Sequence, residues 1–428
     1  MSSRRLSTIL LIAALAVALV AAVGTLLAED LTPNEAVGKD IFFDQNLSVN
    51  RNQSCAACHA PEVGWTGPNE MINQHGAVYE GSIPGRFGNR KPPASAYATT
   101  APILHYSRQA GGLFVGGNFW DGRATGEKLG NPAADQAQGP PLNPLEAALP
   151  DKACVVYRVC TSPTYGGMFQ EIWGAETCAI AWPDGIDATC SDPNGVLMFD
   201  AENQMKVDKA YDTIALSIAA YEGSKEVNAF TSKYDAFLAG KVLLTRMEQR
   251  GRALFNGRGK CARCHVSNGL QPLFTDYTYD NLGVPRNPEN PFYTELDFNP
   301  LGEAWIDLGL GEFLASRMDY APYAQENFGK QKVPTLRNVD KRPYPEFVKA
   351  FGHNGYFKSL KEVVHFYNTR DVLPECAPGD PGEKVTCWPP PEAPVNVNTT
   401  ELGNLGLTDR EEDAIVAFLK TLTDGFMP

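Results

Sequence analysis

A chain of 428 residues that is 43% hydrophobic, with 50 acidic against 37 basic side chains and a formal charge of −13, is long enough for two ordinary domains with separate cores. That acidic balance argues against nucleic acid or an anionic membrane surface as partner, and on charge alone it makes a basic protein the natural visitor.

The amino terminus, Met1-Ser2-Ser3-Arg4-Arg5 followed by an apolar run over 6–27, has the basic start, apolar core and Ala-rich end of a secretory leader, with cleavage after Ala22 or Ala28. The 9–27 run is also long enough to persist as a membrane anchor. Residues 1–28 therefore read as a signal peptide or N-terminal anchor, and the remainder is expected in the periplasm. The Arg4-Arg5 pair suits an ordinary leader start as well as a twin-arginine signal, and the ordinary start is the simpler reading.

Two strings stand out in the rest of the chain: Cys55-Ala56-Ala57-Cys58-His59 and Cys261-Ala262-Arg263-Cys264-His265. Each supplies two thiols for thioether bonds to haem vinyl groups and, next to them, an imidazole that can reach the iron. A dithiol redox pair would follow a strand and open a helix, and a zinc ribbon would set its C-x-x-C elements closer together. Two covalently bound haem c groups account for both copies.

The repeat has a longer echo. Gly38-Lys39-Asp40-Ile41-Phe42 precedes the first string and Gly251-Arg252-Ala253-Leu254-Phe255 the second, so a short helix is expected to lead into each haem loop. Each half also closes on an amphipathic helix. Over 206–223, Ala210, Ile214, Ile218 and Tyr221 recur at spacings of three and four; over 408–422, Ile415, Phe418, Leu419 and Leu422 do the same, with Thr408 and Glu411 as a capping box. The stretches 61–150 and 268–345 are rich in Gly, Pro and Asn but too aromatic for linkers, and are expected to wrap the haems. The expected fold is mainly α, with two cytochrome c-like haem domains at 29–243 and 244–428 and long irregular loops.

Six cysteines remain: Cys154, Cys160, Cys178, Cys190, Cys376 and Cys387, an even number suited to an oxidising compartment. Their grouping suggests local staples 154–160, 178–190 and 376–387, among fifteen pairings that the sequence leaves open. Of six histidines, two sit in the haem motifs, leaving His75, His105, His353 and His365. An iron with a second strong protein ligand passes electrons, whereas one with an open sixth position binds peroxide or oxygen.

The segment Phe119-Trp120-Asp121-Gly122-Arg123-Ala124 is followed by Gln136-Ala137, Gly139-Pro140, Asn143-Pro144 and Glu146. Val333-Pro334-Thr335-Leu336-Arg337-Asn338 and His353-Asn354-Gly355 come later, in order around the second haem motif. In these motifs the chain resembles the bacterial di-haem cytochrome c peroxidases and the related MauG proteins, over essentially everything after the leader. The resemblance implies a peroxidatic first haem with Glu146 over its distal face, Gln136 nearby and Trp120 between the haems. A carboxylate in a partly dry pocket can take a proton from bound peroxide and return it to the departing oxygen, whereas one after an exposed Pro turn is merely solvated. An indole between two haems can relay an electron, and it also fills an interface well. Between Arg123 and Gln136 the chain is longer than the family's peroxidase branch, which makes Gln136 the less secure match.

His75 follows His59 by sixteen residues, the placement of the family's gating histidine, which ligates the first haem at rest. The stretch 76–93 after it, with Tyr79, departs from the family pattern, and a plain loop residue is the equal alternative. His105 has no motif around it. Counting fourteen from His353 reaches Tyr367, where the peroxidase branch has methionine and the MauG branch tyrosine. An anionic phenolate stabilises oxidised iron, which suits a second oxidising equivalent better than a resting electron store. His365 as the ligand, or Tyr367 as a packing residue, are the alternatives; spacing favours ligation by Tyr367. The family also holds a calcium ion between its domains, for which Asn89 is the nearest match, and a homodimer is compatible with it.

The resemblance thus implies reduction of hydrogen peroxide with electrons from a small cytochrome c or cupredoxin, passing the His265/Tyr367 haem and Trp120. One alternative is a MauG-like oxidant of residues on a partner protein substrate. Another is a non-catalytic di-haem electron-transfer cytochrome with both irons closed by protein ligands.

Overall fold

The Gly-basic-x-aliphatic-Phe echo marks one packing device used twice. In the computed structural model, which describes residues 30–427, helix α1 (Pro33–Phe43) leads into the first haem motif. Helices α2 (Lys152–Cys160) and α3 (Ala201–Gly223) follow in the same half. Helix α4 (Arg246–Asn256) leads into the second motif, and α5 (Leu360–Thr369) and α6 (Asp409–Lys420) complete the set that shapes the sites. The leader or anchor expected over 1–28 lies outside the described residues. Among the described residues, no helix is long and apolar enough to cross a membrane.

Helix α1 crosses α3 at Gly38, where a Cβ would lie 1.9 Å from the Ser217 carbonyl oxygen. Helix α4 crosses α6 at Gly251, where a Cβ would lie 1.8 Å from that of Ala414. Only glycine permits backbones to approach so closely. The paired phenylalanines Phe42 and Phe255 are buried beside these crossings. Phe42 packs edge-on against Trp65 and Tyr221, and Phe255 packs against Phe274 and Phe418.

The closing helices form where expected, with one shift. Helix α3 starts at Ala201, not 206, because the Asp200 side chain caps it by accepting from the Asn203 amide at 2.8 Å. Its first turn, Glu202 to Lys206, has no apolar stripe to announce it. Helix α6 carries the expected box: the Glu411 carboxylate accepts from the Thr408 amide at 3.0 Å.

Strands are short and pair in twos. Antiparallel β1 (His105–Ser107) and β2 (Leu113–Val115) set Tyr106 opposite Phe114, and β3 (Tyr279–Asp280) pairs with β4 (Gln331–Lys332). The chain from Pro33 onward forms one compact unit. Buried Lys349 helps to tie it, its Nζ donating to the carbonyls of Val63, Asn338 and Lys341 at 2.8–3.2 Å.

The disulfides are Cys154–Cys190, Cys160–Cys178 and Cys376–Cys387. The third is as suggested by grouping; the first two correct it. Cys154 and Cys160 stand six residues apart on α2, about 9 Å along the axis. A disulfide needs Cα atoms about 4.4–6.8 Å apart, so each pairs with a loop cysteine instead, at 5.4 and 5.6 Å.

Candidate active site

Each haem motif opens in a tight 3-10 turn, Cys55–Ala57 and Cys261–Arg263. The His59 amide returns to the Cys55 carbonyl at 3.0 Å and that of His265 to Cys261 at 2.9 Å. Among the described residues the four motif thiols are the cysteines left out of disulfides. Cys55, Cys58 and His59 line a first cavity of about 1460 Å³, and Cys261, Cys264 and His265 line a second of about 1580 Å³.

The walls and donors fit a haem. Ile41, Phe42, Leu47, Val155, Ile214 and Ile218 give the first cavity apolar walls, and Val333, Leu336, Phe357, Val364 and Leu419 do so for the second. His59 Nδ1 lies 3.3 Å from the Trp65 carbonyl and His265 Nδ1 2.8 Å from that of Phe274. A main-chain carbonyl on Nδ1 fixes the tautomer that leaves the Nε2 lone pair for a metal. Burial holds His59 down to about 4, so its ring is neutral. Burial also pushes the thiols of Cys55, Cys261 and Cys264 up to about 12. Such protonated thiols are unlike the depressed thiolates of a redox dithiol.

Glu146 and Gln136 both line the first cavity. Burial raises the Glu146 pKa, offset in part by the nearby Arg123 charge and by Asn143, whose Nδ2 donates to Oε1 at 2.8 Å. Arg123 lies over the Phe119 ring at 3.7 Å and pairs with Asp121 at 2.7 Å.

His75 is not in this cavity. Its ring is exposed and paired through Nδ1 with Glu289 at 2.9 Å. Tyr79 lines the cavity instead, its hydroxyl accepting from the Asn69 amide at 2.8 Å. His105 is exposed, with Nδ1 against the Ile103 carbonyl.

Trp120 lines both cavities. Its Nε1 donates to the Lys91 carbonyl at 2.8 Å, and its own carbonyl accepts from the Lys332 amide at 2.8 Å. In the second cavity stands Tyr367, not His365. The two lie about 200° apart around α5, and the His365 nitrogens face Glu412 Oε1 at 3.0 Å and the Val385 carbonyl at 3.1 Å. Asn89 lines the first cavity, and its carbonyl accepts from Asn290 Nδ2 at 3.0 Å. Among the described residues, the one cluster with metal-ligand spacing is Cys264, Asp280 and Glu401, away from Asn89 at the second cavity.

Three further cavity residues belong to no sequence motif. Buried Arg90 lines the first cavity and grips Asp307, of the second, at 2.6 and 2.7 Å, and Asp121 at 2.5 Å. Glu222 lines the first cavity, where burial pushes it up to about 8. It does leave a signal in the sequence: it continues the stripe Ile214, Ile218 at a spacing of four, a carboxyl where the pattern calls for an apolar residue. Gln331, on β4, lines the second cavity with neither amide atom hydrogen-bonded within the protein.

A family model described as di-haem cytochrome c peroxidase matches residues 32–242. The methylamine utilization protein MauG of Paracoccus denitrificans (strain Pd 1222) is 34% identical over 416 residues, covering 95% of this chain and 93% of that protein. Cytochrome-c peroxidase IdrP1 of Denitromonas iodatirespirans is 27% identical over 397 residues, covering 91% and 81%. Among solved structures, a methionine-for-tyrosine variant of the diheme peroxidase BthA from Burkholderia thailandensis superposes with a TM-score of 0.72 at 27% identity, covering 92% of this chain and 87% of that one.

Proposed function

The chain belongs to the di-haem cytochrome c peroxidase family, and from that premise we propose that it reduces hydrogen peroxide at the first cavity with electrons a small cytochrome c or cupredoxin delivers through the second. The family is one of peroxidase-type oxidoreductases with two haems. In this reading the haems are c-type, attached through Cys55 and Cys58 and through Cys261 and Cys264, with His59 and His265 as iron ligands. The bound haems supply the electron exchange that carries H2O2, two electrons and two protons to two waters.

The observation that carries the proposal is a buried carboxyl, Glu146, in the same cavity as Cys55, Cys58 and His59. As carboxylate it takes the proton from peroxide and returns it to the departing oxygen. Asn143 Nδ2 holds Oε1, which leaves Oε2 for the proton. Gln136 orients the peroxide, and Arg123 keeps a positive charge near the developing anion. Trp120, in the wall of both cavities, carries electrons between them.

A second reading, MauG-like oxidation of residues on a partner protein, is favoured by one observation: a tyrosine, Tyr367, lines the second cavity. An electron paramagnetic resonance spectrum of the diferric protein, frozen seconds after one equivalent of peroxide without reductant, separates the two. Ferric signals that persist until one electron is supplied support the donor-driven peroxidase. Signals that vanish without reductant and return slowly support the protein oxidant.

The proposal takes 29–243 as the peroxidatic domain and 244–428 as the electron-transfer domain. Lining residues support that division: those of the first cavity lie within 41–222, and those of the second, Trp120 apart, within 255–419. It also takes 1–28 as a leader or anchor and the mature chain as periplasmic, which three disulfides support. Amino-terminal sequencing of the protein from cell fractions tests this. A calcium ion beside Asn89 is tested by metal analysis of the holoprotein before and after chelation.

A further inference from the structure

We propose that the surface over the second haem motif docks an acidic redox protein, the opposite sign to the one the net charge of the chain suggests. The proposal rests on the reading that electrons pass through the second cavity, and it names the partner's chemistry.

The two halves serve as a control on each other. Helices α1 and α4 use the same glycine crossing and the same buried phenylalanine, so the fold asks for no particular charge on their outer faces. From α1 to the first motif the charged residues are Glu35, Lys39, Asp40, Asp44 and Arg51. The corresponding stretch of the second half carries Arg246, Arg250, Arg252, Arg258, Lys260 and Arg263 against Glu248 alone, and Lys241 lies five residues before it. A chain of net charge −13 thus concentrates cations at one place, around one of its two motifs.

Neighbouring acids neutralise only part of this. Glu411 takes both Arg250 and Arg258, Glu401 takes Arg263 at 3.5 Å, and Glu248 is held by Lys233. Asp409, Glu412 and Asp413 are gathered by Lys361. Lys241, Arg246 and Arg252 are exposed and have no carboxylate partner among the described residues; Arg252 lies over the Phe237 ring and donates to the Tyr234 hydroxyl. Even the paired guanidiniums of Arg250, Arg258 and Arg263 stay more than half exposed, at 56, 51 and 54%.

One end of the patch borders the chemistry. Lys260, Cys261 and Cys264 line the second cavity, while Cys261, Ala262 and Cys264 are only half-buried and Arg263 is exposed. The edge of whatever the cavity holds is thus within reach of a visitor. Leu243 and Leu270, each 83% exposed, bracket this segment in sequence, and Ser267 Oγ fastens the second loop to α4 by donating to Asn256 Oδ1 at 2.6 Å. Exposed apolar residues flanking a cationic segment supply apolar contacts of the kind a polar-rimmed docking surface uses. The local field steers an anionic partner at a rate that falls with salt.

The test uses the holoprotein and two probes: reduced plastocyanin, which is acidic, and reduced mitochondrial cytochrome c, which is basic. Peroxide-dependent oxidation of each is followed against salt in the native protein, in Lys241→Glu/Arg246→Glu, and in Arg108→Glu/Lys209→Glu, the same charge change at exposed sites elsewhere. None of these side chains has a partner whose loss would unfold the protein. Expected is a plastocyanin rate that falls about tenfold as salt rises from ~20 to ~200 mM, and falls about tenfold in the first variant at low salt. The second variant should match the native protein, and peroxide reduction by ascorbate with a small mediator should be equal in all three. A preference for cytochrome c, or a first variant no different from the second, overturns the proposal. Plastocyanin binding to the resting holoprotein, read by NMR line broadening, keeps the two failures apart. Binding that weakens in Lys241→Glu/Arg246→Glu upholds the docking surface even if no peroxide is consumed with any reductant, which would sink the peroxidase reading alone.

Discussion

The indole Nε1 of Trp120 donates to the main-chain carbonyl of Lys91 at 2.8 Å, and the Lys91 amide donates to the His353 carbonyl at 2.8 Å. One hydrogen-bonded path therefore runs from the ring shared by both cavities into the wall of the second, where His353 stands. Trp120→Phe keeps most of the ring volume and leaves the Lys91 carbonyl without its donor, at a cost of about 1–2 kcal/mol. Electron flow from the second site to the first should slow several-fold while the thermal midpoint moves little. Stopped-flow reoxidation of the reduced protein by peroxide measures it; a native rate would mean that another route carries the electron.

Glu146 accepts a proton only as carboxylate, and burial raises its pKa despite Arg123 and Asn143. The rate of reaction with peroxide should therefore rise with pH through a range above that of an ordinary glutamate and level off once the group is ionised. Glu146→Gln should remove that limb and lower the plateau by about 10²–10⁴-fold. Rapid-mixing rates across pH measure both, with the haem absorbance spectrum as a check on loading. An unchanged profile in the variant would transfer the proton role to another group.

Gly251→Ala places a methyl 1.8 Å from the Ala414 carbonyl oxygen, in contact with backbone that cannot rotate away. Helix α4 must then lift from α6, and a loss of about 2–3 kcal/mol or more is expected. Gly38→Ala should cost about the same against Ser217. Chemical denaturation of the holoprotein measures both, and a loss under about 0.5 kcal/mol would show that the crossing yields easily.

What was legible in the sequence was local. Haem motifs, lead helices and closing helices each declare themselves within some twenty residues, through fixed spacings or a 3.6-residue stripe. What was not legible depends on which loops meet. Cys154 and Cys160 look like partners until the rise of α2 separates them. His75 and Tyr79 lie four residues apart, yet the fold turns the tyrosine into the cavity and leaves the histidine outside against Glu289. Arg90 meets Asp307 across 217 residues, a separation no periodicity spans.

That buried pair has its own pH signature. Burial alone would raise the Asp307 pKa, but the Arg90 guanidinium holds the carboxyl well below the usual carboxylate range. With the folded value depressed, the pair's contribution is complete above the unfolded value of about 3.9 and is lost as pH falls toward the folded one. Asp307→Asn should therefore cost about 3–5 kcal/mol near neutrality, because Arg90 stays buried with Asp121 alone. The difference from the native protein should shrink in strong acid. Denaturation midpoints at several pH values measure it, and a penalty independent of pH would mean that packing, not charge, is what the substitution removes.

Tyr367 and His365 sit two residues apart on α5, and only Tyr367 lines the second cavity. If the Tyr367 hydroxyl is the group that meets the second iron, Tyr367→Met exchanges an anionic ligand for a neutral thioether. The midpoint potential of that site should then rise, since the phenolate favours the oxidised form. Tyr367→Phe should open the position and alter the spectrum of the second haem alone. His365→Gln should leave both potential and spectrum as they were, because the ring it replaces faces Glu412 and Val385, away from the cavity. Spectroelectrochemical titration of the three variants decides between the two residues. A shift in His365→Gln with none in Tyr367→Phe would assign the ligand to the histidine and require α5 to turn by about half a revolution when the haem binds.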